Sequence, residues 1–241
     1  KGSEVVIVDF SLKPDIMAKV LAKGCLVTWI DHHATAAAYD YGVKLSGRRD
    51  FSNHGLSGCE LAWLHFHAGR DLVPRAVELI GDYDSWRLAT KPACFEFYEG
   101  MKMQPGTTDP LSDLWPALLS TDAEVAPIRQ AGRTCIAYRD AYCAGLRKSF
   151  GYKTEIGGHA AYALNLYMLG SAAAGPEMDR YPVCICYAHD GARFTVSLYS
   201  TTVDVSVIAK AHGGGGHKGA AGFVCAALPF TRKDQPHAAE N

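Results

Sequence analysis

Two short apolar runs near the start of the chain each end in an aspartate, and a helical pattern separates them. The first run, Val5 to Val8, is followed by Asp9, and the second, Leu26 to Ile30, is followed by Asp31. Between them, Pro14 opens a predicted helix. A strand, a helix and a second strand joined by short connections form the unit from which parallel sheets are built. The sequence therefore predicts an α/β fold in which Asp9 and Asp31 lie at the same edge of a parallel sheet.

Two histidines follow the second of these aspartates, in the segment Asp31-His32-His33. Open α/β sheets bind ligands at the carboxyl ends of their strands, so an acid and two imidazoles at this edge favour catalysis or metal binding. A plainer interpretation also fits, in which the histidines lie in a loop and Asp31 caps a short helix from Ala34 to Ala38. Asp9, taken alone, likewise suits a cap or a turn. The segment by itself leaves both interpretations open.

A further pair of aspartates, Asp82 and Asp84, follows a helical pattern that ends near Ile80. In isolation the pair could form a simple turn. Together with Asp9 and His32, these carboxylates make a set of ligands that suits Mn²⁺ or Mg²⁺. Two such ions about 4 Å apart activate water and stabilise an in-line displacement at a phosphate ester. The combination indicates phosphoryl chemistry.

Four consecutive glycines, Gly213 to Gly216, precede His217 and Lys218. A glycine run lets backbone N–H groups approach an anion closely, as in phosphate-binding nests. The run follows an apolar helical pattern and precedes the apolar segment Ala220 to Ala226, which argues against a flexible linker. We therefore expect a phosphate-binding segment formed by Gly214, Gly215, Gly216, His217 and Lys218.

Composition narrows the possible partners. With 24 basic and 25 acidic residues, the chain lacks the positive charge that holds long duplex DNA, whereas short anionic ligands remain possible. The cluster of Lys44, Arg48 and Arg49 is either a solvated loop or a site that steers phosphate.

The eight cysteines include no Cys-x-x-Cys pair, which indicates reduced thiols and a cytoplasmic location. No apolar stretch reaches the roughly 20 residues that span a bilayer, and no signal peptide is recognisable, so no membrane partner is expected.

Taken in order, these motifs resemble those of the DHH phosphoesterase superfamily with a C-terminal DHHA1 domain. The resemblance rests on Asp9, on Trp29 to His33, on Gly81 to Trp86 and on the glycine-rich run, and it extends over nearly the whole chain. Together with these motifs, the segments Val8 to Ser11 and Ser197 to Tyr199 look most like the branch of nanoRNase B-like oligoribonucleases and cyclic-nucleotide phosphodiesterases.

The resemblance implies an α/β fold with two domains. A parallel-sheet DHH domain (residues 1–121) would be joined to a smaller α/β DHHA1 domain (151–230). Independently of the resemblance, the apolar spacing from Asp122 to Phe150 predicts one long helix, which would be the helical connector (122–150), and the last residues (231–241) are expected to form a disordered tail. The resemblance also implies a metal-dependent phosphodiesterase that hydrolyses short single-stranded RNA or DNA oligonucleotides or small nucleotides. Two Mn²⁺ ions would lie between the domains, with Mg²⁺ as a possible substitute, and a homodimer is a further expectation.

The resemblance also assigns the metal ligands. Asp9 would bridge the two ions and His32 would bind one of them. Asp82 is the better match to the next aspartate of the family, because Trp86 then falls where the family has an aromatic residue. Asp84 is the alternative ligand.

Two further sets of residues follow from the same resemblance. Asp31 and His33, on either side of His32, would be the catalytic residues. They would support His32 and provide a contact to the substrate or to an ion. His217, with the neighbouring glycines and Lys218, would bind the substrate phosphate. The family often has an arginine near the position of Tyr199, so the substrate contacts of this chain are expected to differ there.

One motif of the family is missing from this chain. It is a strand that ends in Asp-x-Asp, and it should lie upstream of Asp9. The chain begins at Lys1 without a methionine and enters a strand almost at once, so we expect it to continue a longer polypeptide that supplies the motif. Two other functions stay open, namely hydrolysis of polyphosphate or pyrophosphate by the same metal core, and a non-catalytic nucleotide-binding role.

Overall fold

The first two strands pair in parallel, as the positions of the two apolar runs predict. In the computed structural model, which describes residues 2–52, 54–69 and 72–234, β1 (Glu4–Val8) lies beside β2 (Leu26–Ile30). Helix α1 (Pro14–Ala22) connects them. It starts at a proline because the first turn of a helix needs no N–H donor there, and its Met17 is buried. Asp9 and Asp31 therefore follow neighbouring parallel strands, and the predicted α/β class is confirmed.

The two strands differ in how well they are covered. On the far side of β2, an extended segment over residues 46–50 runs parallel to it, and the amide of Trp29 donates to the carbonyl oxygen of Ser46 (2.9 Å). Within the described residues β1 pairs only with β2, and its Val6 and Val8 side chains are 45% and 41% exposed. Parallel strands are normally covered on both faces, so these two side chains lack the cover that such a strand usually has. Because β1 has no second neighbouring strand within the described residues, its outer edge is also open to a further strand.

The chain divides into two compact units, Lys1–Ile136 and Ala137–Asn241. Beyond β2, the first unit is helical, and its helices are α2 (Gly58–Phe66), α3 (Arg75–Asp84), α4 (Ala93–Met101) and α5 (Leu114–Ser120). Its largest core cluster joins α3, α4 and α5 to the start of the next helix, around the fully buried Leu79, Phe97 and Leu118. This core holds α3, which carries both Asp82 and Asp84 at its end.

Helix α6 (Val125–Phe150) begins in the first unit and ends in the second, within the stretch where the sequence indicates one long helix. The described residues of the second unit, beyond α6, form six strands and two short α-helices: β3 (Tyr152–Ile156), β4 (His159–Asn165), α7 (Glu177–Arg180), β5 (Val183–His189), β6 (Phe194–Tyr199), α8 (Val205–Ala211), β7 (Gly215–His217) and β8 (Ala220–Cys225). The strands form one mixed sheet in the order β3-β4-β5-β6-β8-β7. Only β4 and β5 pair in parallel. No helix of the described part is long and apolar enough to cross a membrane.

The predicted tail is partly ordered against the second unit. The amide of Lys233 donates to the carbonyl oxygen of Lys153 (2.8 Å), and the hydroxyl of Thr154 donates to the carbonyl oxygen of Thr231 (2.7 Å). Residues 231–234 thus run beside β3 and do not form the disordered start of a tail. The remainder of the predicted tail, residues 235–241, lies outside the described residues.

The glycine-rich run has a packing role at its start. The amides of Gly213 and Gly214 donate to the carbonyl oxygens of Lys210 (3.0 Å) and Ala209 (2.9 Å), which closes the C-terminus of α8. A Cβ atom at Gly214 would lie 2.1 Å from the carbonyl oxygen of Gly222 in β8. These two amides are therefore not free to cradle an anion, contrary to the simplest form of the sequence prediction. At Gly215, by contrast, an added Cβ atom would meet no other atom within 4 Å.

We predict that Gly214→Ala destabilises the protein and that Gly215→Ala does not. The added methyl group at position 214 forces β7 away from β8, and such overpacking costs about 1–3 kcal/mol. At position 215 no atom lies within 4 Å of the added carbon. The free energy of unfolding, measured by urea denaturation, should separate the two variants by at least about 1 kcal/mol. Equal values would show that close packing does not explain the run.

Candidate metal site

Asp9 and His32 meet at the carboxyl edge of the two parallel strands. Asp9 directly follows β1 in a left-handed backbone conformation (φ 56°), and its amide donates to the carbonyl oxygen of Ile30 (2.9 Å). Aspartate tolerates this conformation better than most residues, and such outliers cluster at functional sites. His32 Nε2 lies 3.1 Å from Asp9 Oδ1 and 3.3 Å from Asp84 Oδ2. Three predicted ligands are thus brought together.

Asp31 lies behind these residues and is fully buried. Its carboxylate accepts a short hydrogen bond from the Ser11 hydroxyl, bonds from the amides of His32 (2.8 Å) and His33 (3.3 Å), and one from His33 Nδ1 (2.7 Å). Burial alone would raise the pKa of Asp31, but the hydrogen bonds from Ser11 and His33 outweigh it and leave this pKa below its usual value. Asp31 therefore holds the histidine segment in place and does not face solvent.

His33 is about half exposed, with a side-chain exposure of 54%. Because its Nδ1 donates to the anionic Asp31, its Nε2 is the nitrogen left for an ion or a substrate. The hydrogen bond to Asp31 also raises the pKa of His33, against the effect of burial. His33 is the cap residue of a short 3-10 turn at Ala34–Ala36, which replaces the longer helix considered from the sequence.

The side chains at this edge form a set of metal-ligand type. Asp9, His32 and His33 each offer one ligand atom, and these atoms lie within 4.8 Å of one another. Asp84 adds a carboxylate beside His32, and burial raises the pKa of this carboxyl. Oxygen and imidazole donors in this proportion suit Mn²⁺ and Mg²⁺, so the residues present fit such an ion.

Asp82 faces away from this set. Its Oδ1 lies 2.6 Å from Arg87 Nε, and its Oδ2 accepts the amide of Thr90 (2.8 Å). Burial alone would raise the pKa of Asp82, but the bonds from Thr90 and Arg87 lower it overall. Side chains two positions apart on a helix point in different directions, so Asp82 and Asp84 cannot share one site. The structure places Asp84, the alternative ligand, beside His32.

Arg87 also binds a second buried carboxylate, that of Glu60 in α2 (2.8 Å). Glu60 in turn accepts the amide and the hydroxyl of Ser57 (both 2.9 Å) in a capping box at the start of α2. The next residue, Gly58, packs against Asp9, since a Cβ atom there would lie 2.4 Å from Asp9 Oδ1. The ion pairs of Arg87 therefore fix α2 and α3 around the candidate ligands.

Sequence reasoning missed this network, although one part of it was visible. The spacing Ser57-x-x-Glu60 is the signature of a capping box, but nothing in the local sequence pairs Arg87 with Glu60. The basic cluster gains a structural explanation at Arg49. Its guanidinium donates to the carbonyl oxygens of Trp29 and Ser46 (both 3.0 Å) and lies over the Trp29 ring.

The residues predicted to bind phosphate lie in the second unit. His217 ends β7, the edge strand of the six-stranded sheet, and the side chains of His217 and Lys218 are exposed. The carbonyl oxygen of Lys218 accepts the amide of Val205 (3.0 Å), which ties the turn after β7 to α8. An edge strand leaves part of its backbone unpaired, so groups near Gly215 and His217 stay accessible to a ligand.

Comparison with protein-family models and with curated protein sequences yields no match to this chain. Among solved structures, it is similar to a pGpG-specific phosphodiesterase, PggH, from Vibrio cholerae, at 12% identity over 93% of each chain with a TM-score of 0.47. It is also similar to an exopolyphosphatase-related protein from Bacteroides fragilis, at 15% identity over 92% of this chain and 66% of that one, with a TM-score of 0.46. A putative family II inorganic pyrophosphatase from Methanococcus jannaschii gives 13% identity over 83% and 69%, with a TM-score of 0.28. These values are too low to decide the function of the chain.

We predict that Arg87→Met lowers the free energy of unfolding by about 3–5 kcal/mol, because it leaves two buried carboxylates without a compensating cation. Arg75→Met is the matched control. Arg75 pairs with Glu78 on the same helix, but the Glu78 side chain is 43% exposed, so this variant should cost less than about 1 kcal/mol. Chemical denaturation followed by circular dichroism measures both. A loss for Arg87→Met no larger than that of the control would contradict the role of the network.

Proposed function

We propose that this chain is a metal-dependent phosphodiesterase of the DHH type that acts on short oligonucleotides or small nucleotides. The observation that carries the proposal is the meeting of Asp9, His32 and Asp84 at the carboxyl edge of β1 and β2, with His33 beside them. Phosphoryl transfer needs positive charge at the phosphate oxygens and a positioned water, and this cluster offers carboxylate and imidazole ligands for an ion that would supply the charge.

Each residue of the cluster has a proposed task. A bound Mn²⁺ would supply Lewis acidity at a phosphate oxygen. Asp9 and Asp84 would offset the charge of the ion, and His32 would contribute Nε2. Asp31 holds His33 through Nδ1, which leaves Nε2 of His33 to contact the substrate. This fixed orientation lowers the entropic cost of binding a phosphate at that nitrogen.

In the second unit, the proposed phosphate contacts are Gly215, Gly216, His217 and Lys218. Support comes from the exposed side chains of His217 and Lys218 and from the open space on the side of Gly215 where a Cβ atom would lie. Gly214 is removed from the proposed contacts because its amide is used by α8.

One observation favours a rival. Among the residues that the structure describes, the cluster around Asp9 is the one group of three or more potential metal ligands, and a two-ion centre needs more. The open edge of β1 could accept a strand that brings them, as the resemblance implies. Without such a strand, the chain would bind nucleotides without hydrolysing them. Hydrolysis of pyrophosphate or polyphosphate is a second rival, because the same cluster could serve it.

The function is tested with the natural full-length protein, supplied with Mn²⁺ and assayed on di- to pentanucleotides including pGpG, on cyclic nucleotides and on pyrophosphate. We expect release of mononucleotides, and we expect the Asp9→Ala variant to be inactive. Hydrolysis of pyrophosphate alone would favour the rival in which the chain hydrolyses pyrophosphate or polyphosphate. Binding of nucleotides with no hydrolysis of any substrate would favour the non-catalytic role.

For the metal, we predict that the 241-residue chain binds a single Mn²⁺ and that Asp84→Asn weakens this binding at least about 10-fold. The variant loses a carboxylate that faces His32. Asp82→Asn is the matched control on the same helix, and it should instead lower the free energy of unfolding while the Mn²⁺ affinity changes less. Equilibrium dialysis with elemental analysis measures the affinity. A larger loss of affinity in Asp82→Asn would reverse the assignment.

For the second unit, we predict that His217→Ala raises KM and lowers kcat without changing the metal content. Loss of one charge-assisted hydrogen bond to phosphate costs about 1.5–3 kcal/mol, which is roughly 10- to 150-fold in kcat/KM. Lys210→Ala, on the exposed side of α8, is the control and should behave as the parent. Wild-type kinetics of His217→Ala on every phosphodiester that the parent cleaves would remove the phosphate-binding role from this segment.

A further inference from the structure

The second unit contains a pocket of about 370 Å³ that the proposed reaction does not use. It lies where the end of α6 meets β3, β4 and α7. Three cationic side chains line it, Arg147, Lys148 and Lys153, and Tyr162 lies beside them. Its size falls in the range of pockets for small ligands.

The cations of this pocket lack acidic partners. Two carboxylates also line it, Glu177 and Asp234, but each is taken by an arginine outside the pocket, at 2.9 Å by Arg180 and at 3.0 Å by Arg232. Across the part of the chain that the structure describes, Arg147, Lys148 and Lys153 form no ion pair with any carboxylate. The pocket therefore keeps an excess of positive charge.

Arg147 is held in one orientation. Its Nη1 donates to the carbonyl oxygen of Ala173 (2.8 Å), and Gly175 packs against the guanidinium so closely that a Cβ atom there would lie 2.8 Å from Nη1. The Tyr162 hydroxyl donates to the carbonyl oxygen of Arg147 (3.0 Å). Burial raises the pKa of Tyr162 to about 12, so its phenol stays neutral and adds no negative charge. A guanidinium fixed in advance binds an anion at a lower entropic cost.

The attraction of cations to the end of a helix explains only part of this arrangement. Arg147 and Lys148 lie in the last turn of α6, where positive charge stabilises a helix. Lys153, however, lies on β3, and the guanidinium of Arg147 is turned to Ala173. Stabilisation of α6 therefore does not account for the whole cluster.

The pocket is distant from the glycine-rich segment within the same unit. In the sheet order β3-β4-β5-β6-β8-β7, Tyr162 on β4 is four strands from His217 on β7. With neighbouring strands about 4.8 Å apart, this is a separation of roughly 19 Å. One phosphate group cannot contact both places.

We propose that the pocket of Arg147, Lys148, Lys153 and Tyr162 is a second anion site, which binds the phosphate group of a small molecule. The fixed guanidinium contacts two phosphate oxygens, and the two lysines close over the remaining charge. The site is independent of the proposed hydrolysis, since no residue of the Asp9 cluster takes part in it.

The test uses the 241-residue chain labelled with ¹⁵N, free of divalent metal, and titrated separately with inorganic phosphate and with AMP. The double variant Lys148→Gln/Lys153→Gln removes two exposed charges and keeps Arg147, so the fold is preserved. The variant Lys19→Gln/Lys23→Gln, on and just after α1, removes the same charge elsewhere. We expect saturable shifts at the amides of Gly151, Lys153 and Tyr162 in the parent. The pocket variant should bind at least about 10-fold more weakly, and the control should differ less than about 2-fold.

The two ligands distinguish the source of the phosphate, and either result supports the site. Tighter binding of AMP would assign it to a nucleotide, and equal affinities would assign it to phosphate alone. Three results would overturn the proposal. These are the absence of saturable binding, an equal loss in both lysine variants, and shifts at residues 213–218 that His217→Ala abolishes and the pocket variant leaves unchanged.

Discussion

The buried carboxylate of Asp31 accepts hydrogen bonds from Ser11 and from both histidines that follow it, and the geometry of the candidate site depends on these bonds. A carboxylate is costly to bury unless its lone pairs are satisfied. Here the donors are the side chain of Ser11 and the backbone and ring of the histidine segment. The same contacts that keep Asp31 ionised in the interior also hold the backbone at His32 and the imidazole ring of His33. Removal of this carboxylate would leave the His33 ring without its Nδ1 partner and the backbone of the segment without its acceptor.

A second buried charge network performs the corresponding task on the helical side. Arg87 joins Asp82 in α3 to Glu60 in α2, and each helix presents one group to the site, Asp84 from α3 and the backbone at Gly58 from α2. Burial of one arginine between two carboxylates is sensitive to the loss of any member. The two ion pairs of Arg87 hold α2 and α3 in a fixed position relative to one another. Neither Asp82 nor Arg87 needs to touch an ion to be essential for the site.

The sequence was informative where local pattern determines position. Two apolar runs that end in Asp9 and Asp31 predicted parallel strands with both acids at one edge, and the structure has this arrangement. The choice between Asp82 and Asp84 was not accessible in the same way. It depends on the rotational setting of α3, which is set by Arg87 and Glu60 through contacts across 27 residues of sequence. The glycine run was ambiguous for a similar reason, because the close approach of β8 to Gly214 becomes visible only in three dimensions.

A crystal of this chain grown with MnCl₂ and measured at the manganese absorption edge tests directly whether Asp9, His32 and Asp84 hold a metal ion. We expect an anomalous peak in direct contact with the Asp9 carboxylate and His32 Nε2, with the Asp84 carboxylate beside it and Asp82 still paired with Arg87. A map without a peak at this edge of the sheet, or with its peak at Asp82, would show that these residues are not the metal ligands.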